Sequence, residues 1–197
     1  MFQILLILVN AALAVGFHTA YHQETYRMQY KEPFWMQTEG FMLGTRNTLV
    51  VGCKQPIRFK ADGLCVVMDN DQEQMMLWRK MNDPHHLCLQ NDIENPIFNP
   101  STFDHIFLRI PLMDLKRKEP VISQLVRIVK PNGNLYIIDY DETHPYKHEL
   151  NNIPWSHRAK LEYEGKRTQD TLSLLRLHLQ MVDIRIQNGF KNYHFVK

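Results

Sequence analysis

The sequence predicts an α/β protein, a mostly parallel seven-stranded sheet that closes in a C-terminal antiparallel hairpin. Three observations lead there. From Thr48 onward, short and nearly continuous apolar runs alternate with helix-like segments. That is the pattern of strands buried on both faces of a parallel sheet. An apolar stripe through Val121, Leu125, Ile128 and Val129 has helical spacing, and Pro131-Asn132-Gly133 stops it. Near the end, Asn188-Gly189 lies in "NGFKN" between the runs "DIRIQ" and "YHFVK", a tight-turn signal between two strands.

The elements follow in order. "TLVVG", Thr48–Gly52, predicts a first strand running into a tight turn. A turn at Asp62-Gly63 leads into a second strand, Leu64–Asp69. Gln72–Lys80 predicts a helix, His86–Gln90 a third strand and Phe103–Ile110 a fourth. A helix over Pro120–Val129 has its proline in the first turn, where no amide partner is needed. Leu135–Asp139 predicts a fifth strand. Thr168–Met181 predicts a helix with Leu172, Leu175, Leu179 and Val182 on one side. Asp183–Gln187 and Tyr193–Val196 are the hairpin strands. The aromatic, polar stretch before Thr48 predicts helix broken near Pro33.

A chain of 197 residues that is 44% apolar suits one cored domain and a short extra segment. A net charge of +2 with 22% charged residues gives no basic face for nucleic acid. The densest basic cluster, Lys116-Arg117-Lys118, predicts a solvated helix start. Three cysteines without C-x-x-C spacing support neither a disulfide framework nor a zinc site, and the ten histidines form no metal-binding pair.

The first sixteen residues, "MFQILLILVNAALAVG", are apolar and carry no charged side chain. The run is short for an ordinary membrane span. It fits the apolar region of a secretory signal peptide, with Ala12-Leu13-Ala14 as the small-x-small cleavage pattern. An uncleaved membrane anchor is the alternative. The organisation predicted is a signal peptide or anchor over 1–16, a helical segment over 17–47 and a domain over 48–197. Either reading of 1–16 places the protein in the secretory pathway or on a membrane rather than free in the cytosol.

Four stretches carry a family resemblance. "VISQLVRIVKPNGNLYIIDYD" has the form helix, K-P-N-G turn, strand; "FNPSTFDHIFL" places Phe-Asp at a strand start; Asp69 closes "LCVVMD"; and Asp92 lies in "LQNDIEN" after the third strand. In this order and spacing the sequence resembles the class I S-adenosylmethionine-dependent methyltransferase superfamily. The resemblance covers Thr48 to Lys197. The uncharged apolar lead is also similar to that of small membrane-associated methyltransferases of the thiol-methylating type.

The resemblance implies a Rossmann-like fold, S-adenosylmethionine as cofactor, and a site beyond the carboxyl ends of the strands. Asp69 matches the acidic residue that accepts hydrogen bonds from both ribose hydroxyls. Asp92, with Ile93 beside it, matches the position that receives the adenine. Gly52 is the first glycine of the cofactor loop. Acceptor-facing residues are implied after strands four and five, at Arg109 and Leu112, then Tyr140, Asp141 and His144. The last three are the candidates for a catalytic base, and the implied acceptor is a small molecule.

The loop departs from the family at three of four positions. Val50 stands at the acidic position, and Lys54 and Pro56 stand at the second and third glycines. Lys54 brings a Cβ where backbone should approach a ligand, and Pro56 removes an amide donor. Two readings therefore stand side by side. One is an active methyltransferase with an altered loop. The other is a catalytically inactive relative that serves as a binding or interaction module.

Overall fold

The computed structural model describes residues 46–52, 63–80, 86–141, 155–187 and 189–197. Residues 1–16, nearly all of the 17–47 segment, Lys54, Pro56, His144 and Asn188 lie outside these residues, and so do the expectations placed on them. Among the described residues the elements are, in order, β1 (Thr48–Val51), β2 (Cys65–Asp69), α1 (Gln72–Lys80), β3 (His86–Gln90), β4 (Phe103–Leu108), a 3-10 turn (Leu112–Asp114), α2 (Lys118–Ile128), β5 (Val129–Tyr140), α3 (Trp155–His178), β6 (Gln180–Gln187) and β7 (Phe190–Val196). The seven strands form one sheet in the order β3-β2-β1-β4-β5-β7-β6. Strands β1 to β5 pair in parallel, whereas β7 runs antiparallel between β5 and β6. This is the Rossmann-like methyltransferase sheet with its terminal antiparallel hairpin.

The short central strand β1 is buried at all four positions, with β2 on one side and β4 on the other. Strand β3 sits at the sheet edge, and Leu87 there is exposed. The main core packs Leu49, Val66, Phe103, Ile106 and Leu135 of the sheet against Val121, Leu125 and Ile128 of α2 and Leu172 and Leu175 of α3. Those helix positions recur every three or four residues, so each helix buries one stripe.

Several boundaries differ from the sequence expectation. Helix α2 begins at Lys118, before Pro120, because a proline in the first turn leaves no amide unsatisfied. Val129 keeps its place in the core but as the first residue of β5. The Pro131-Asn132-Gly133 segment stops the helix and is then absorbed into β5 as an irregularity between the Phe103 and His105 pairs. Asn132 sits there at φ 62°, a left-handed conformation that asparagine tolerates. Its amide donates to Lys197 O at 2.8 Å, and the Lys197 amide donates to Gly133 O at 3.1 Å. Helix α3 ends at His178, so Met181 and Val182 belong to β6, and Val182 is exposed rather than on the helix stripe. Both hairpin strands start three residues earlier than their alternation suggested.

Candidate cofactor site

A pocket of about 210 Å³ opens at the carboxyl ends of β1, β2 and β3. Its walls come from Val51 and Met68, from Asp69-Asn70, from Asn91 to Glu94, and from Ile110 and Asp114 to Arg117. Asp69, Asp92 and Ile93, singled out from sequence, therefore meet in one cavity. A backbone bond joins the two strand ends: Asn91 N–H donates to Asp69 O at 3.1 Å, so the ends of β2 and β3 stay side by side.

Each acidic residue is oriented by its own turn. Asp69 Oδ1 accepts from the Asp71 amide at 3.0 Å, and Asp92 Oδ1 accepts from the Glu94 amide at 3.0 Å. Such Asx turns fix a carboxylate against its own backbone. Asp71 in turn caps α1 by accepting from the Glu73 amide at 2.8 Å. The path from strand to helix is thereby fixed, and Asp69 stays at the pocket wall.

Gly52 adjoins this cavity and cannot be replaced freely. Its φ is +87°, and a Cβ there would lie 2.6 Å from Ile110 Cγ1. Its amide donates to Met68 O at 3.0 Å, which holds the turn against β2. The backbone thus makes, just beyond β1, the close approach that a ligand's polar chain would need. The residues present fit a nucleoside cofactor here: two carboxylates beyond adjacent strand ends, apolar Ile93 and Ile110 in the same pocket wall, and a glycine turn.

The region after β4 and β5 is arranged differently. Arg109 and Leu112 are buried; the Arg109 amide bonds Val51 O at 2.8 Å and Leu112 belongs to the core. Tyr140 is buried against Phe190, and its hydroxyl donates to Asp114 Oδ2 at 2.7 Å. Asp141 is buried, 3.5 Å from Lys191 Nζ, and its amide bonds Gly189 O at 2.7 Å. Neither Tyr140 nor Asp141 lines the pocket; Asp114 links Tyr140 to it, because it both walls the cavity and holds that hydroxyl. Asp139 Oδ1 accepts from the Met113 amide at 3.1 Å and ties the same 3-10 turn to β5.

The basic cluster is a solvated edge at Lys116 and Arg117 but not at Lys118. Lys118 is 0% exposed, and its Nζ donates to Leu115 O at 2.9 Å and Met113 O at 3.3 Å. These bonds offset the cost of burying a charge and tie the 3-10 turn to α2. Arg117 pairs with Glu94 at 2.9 Å across the pocket wall, an exposed contact of little energetic weight. Sequence reasoning missed Asp114, Ile110 and Arg117. The only signal for them was their position just after the fourth strand.

A family model described as a methyltransferase domain matches residues 51–137. Among solved structures, an S-adenosylmethionine-dependent methyltransferase from Aquifex aeolicus is similar at 15% identity and a TM-score of 0.56, over 87% of this chain and 92% of that one. A chain of the complex between a methyltransferase and its activator protein from Haloferax volcanii is similar at 14% identity and a TM-score of 0.61, over 92% and 96%. An S-adenosylmethionine-dependent methyltransferase from Listeria monocytogenes matches at 9% identity and a TM-score of 0.54. A comparison with curated proteins finds no match. A methyltransferase-domain model thus matches residues 51–137, and the sheet has the fold of the class I S-adenosylmethionine-dependent methyltransferases.

Proposed function

We propose that the chain binds S-adenosylmethionine at the carboxyl ends of β1 to β3 and transfers its methyl group to a small-molecule acceptor. The observation that carries this reading is the meeting of Asp69, Asp92 and Ile93 in one pocket beside Gly52. Asp69 holds the ribose hydroxyls, Asp92 and Ile93 receive the adenine, and the Gly52 turn passes the methionine part. When bound, the cofactor supplies an electrophilic methyl on a sulfonium. The chain aligns the acceptor with it, and alignment accounts for much of the rate in such displacements. A protein base is needed only for an acceptor that carries a proton of high pKa; His144, Asp141 and Tyr140 are the candidates.

Two observations favour a second reading, a catalytically inactive binding module. The cavity of about 210 Å³ is smaller than the roughly 300–1,000 Å³ of ordinary small-molecule sites, and Lys54 and Pro56 replace loop glycines. Titration calorimetry of the full chain with S-adenosylmethionine and its demethylated product separates the two. Micromolar binding supports the methyltransferase reading; millimolar or absent binding supports the module.

The apolar run over residues 1–16 supports membrane targeting, by a cleaved signal peptide or a retained anchor. It also supports kinship with the small membrane-associated branch. Among the described residues no helix is long and apolar enough to cross a membrane. Mass spectrometry of the native N-terminus distinguishes cleavage from retention.

A further inference from the structure

Strand β6 ends the described sheet on the side opposite β3 and pairs with β7. Three of its β-branched residues are open to solvent: Val182 at 54%, Ile184 at 42% and Ile186 at 62% exposure. Apolar side chains in this number on an edge strand call for a covering partner. Strand alternation puts Ile184 and Ile186 on one face and Asp183 and Arg185 on the other.

The order of residues identifies the partner. From Val182 to Ile186 the strand reads apolar, acidic, apolar, basic, apolar. Reversed about Ile184, this order is its own complement. An antiparallel alignment centred there sets Ile184 against Ile184 of a second copy, Asp183 against Arg185, and Val182 against Ile186. A parallel alignment in register sets Asp183 against Asp183 and Arg185 against Arg185, which is unfavourable. Two-fold centres on Asp183 or Arg185 also set like charges together, and centres between residues set charge against isoleucine.

We propose that β6 pairs antiparallel with β6 of a second copy about a two-fold axis at Ile184, joining two seven-stranded sheets into one. The interface is isologous, as most homodimer contacts are. Within one chain Arg185 Nε already bonds Asp183 Oδ2 at 2.5 Å. Pairing adds the second copy's guanidinium and carboxylate and closes four charges of alternating sign on one face. On the other face Ile184 covers Ile184 of the second copy, and Ile186 reaches its Val182, which sits at the register shift between Met181 and Asp183. Edge strands usually resist such pairing with unmatched charges; here the two charges are matched.

Sedimentation equilibrium of the purified full-length chain, in mild detergent that keeps the apolar N-terminal run from associating, tests this directly. The expected species has twice the 23.5 kDa chain mass. Asp183→Arg sets arginine against arginine twice and should raise the dimer dissociation constant about tenfold or more. Adding Arg185→Asp restores the complement in reversed sense and should restore the dimer, which also checks that the single variant folds. Under mild oxidation Ile184→Cys should cross-link two copies, since directly opposed residues lie about 4.5–5.5 Å apart, within disulfide reach. Val182→Cys faces residue 186 and should not. A monomer at every concentration, a dimer indifferent to Asp183→Arg, a double variant that stays monomeric, or equal cross-linking at both positions would overturn the proposal.

Discussion

The Tyr140 hydroxyl donates a 2.7 Å hydrogen bond to Asp114 Oδ2, joining the end of β5 to the 3-10 turn that walls the pocket. Tyr140→Phe removes only that donor. Unfolding in urea should then show a loss of about 1.5–3 kcal/mol, the usual range for a hydrogen bond to a charged group. Cofactor binding should weaken several-fold as the turn loosens. Unchanged stability would mean the bond has no structural weight.

Gly52→Ala should be costly for two separable reasons. A left-handed conformation costs a non-glycine residue about 1–2 kcal/mol, and the new Cβ meets Ile110 Cγ1 at 2.6 Å. Pairing it with Ile110→Ala removes the collision but not the backbone cost. The double variant should therefore be more stable than the sum of the two singles predicts, as a denaturation cycle measures.

Asp69→Asn separates charge from geometry, because the amide oxygen still accepts from the Asp71 amide and the turn persists. Melting temperature should hardly move, while affinity for S-adenosylmethionine should fall by about one order of magnitude, and Asp69→Ala by one to two. Tight binding indifferent to both variants would place the cofactor elsewhere.

Acid should destabilise the fold through His105. Burial, and then the Arg46 guanidinium at 3.4 Å, lower its pKa to about 4. The unfolded chain takes up that proton near pH 6.5, so between 6.5 and 4 it binds more protons than the fold does. Stability therefore falls as pH falls through that window, by up to about 1.4 kcal/mol per pH unit, and is unaffected by this group above it. Burial lowers the His194 pKa too, and it acts in the same direction. His105→Phe keeps a ring near Tyr136 and Phe107 and should flatten the dependence in urea titrations from pH 7 to 4.5.

What was legible in the sequence was local. Helix α1 and strand β3 fall where the pattern put them, because Asp71 caps the helix and a short apolar run makes the strand. That Asp69 and Asp92 lie just beyond strands, at the pocket wall, was legible because strand ends are local features. The full length of β5 was not, since its start depends on Lys197, far along the chain, bonding Asn132 and Gly133. The burial of Lys118 was hidden for the same reason: three basic residues read as solvated until the turn at Leu112–Asp114 carries the carbonyls of Met113 and Leu115 over its ammonium. Asp114 gains its place from Tyr140, which no spacing announces.

The position of β7 bears on how the chain is made. It follows β6 in sequence yet lies between β5 and β6 in the sheet. On the ribosome, strands β1 to β5 emerge first and can pair with one another. The outer side of β5 then waits, uncovered, through the whole of α3 and β6, until Phe190–Val196 leaves the exit tunnel. Exposed strand edges of this kind attract other chains. The nascent protein is therefore most vulnerable to aggregation late in its synthesis, and a stall inside β7 should be more damaging than one inside α3.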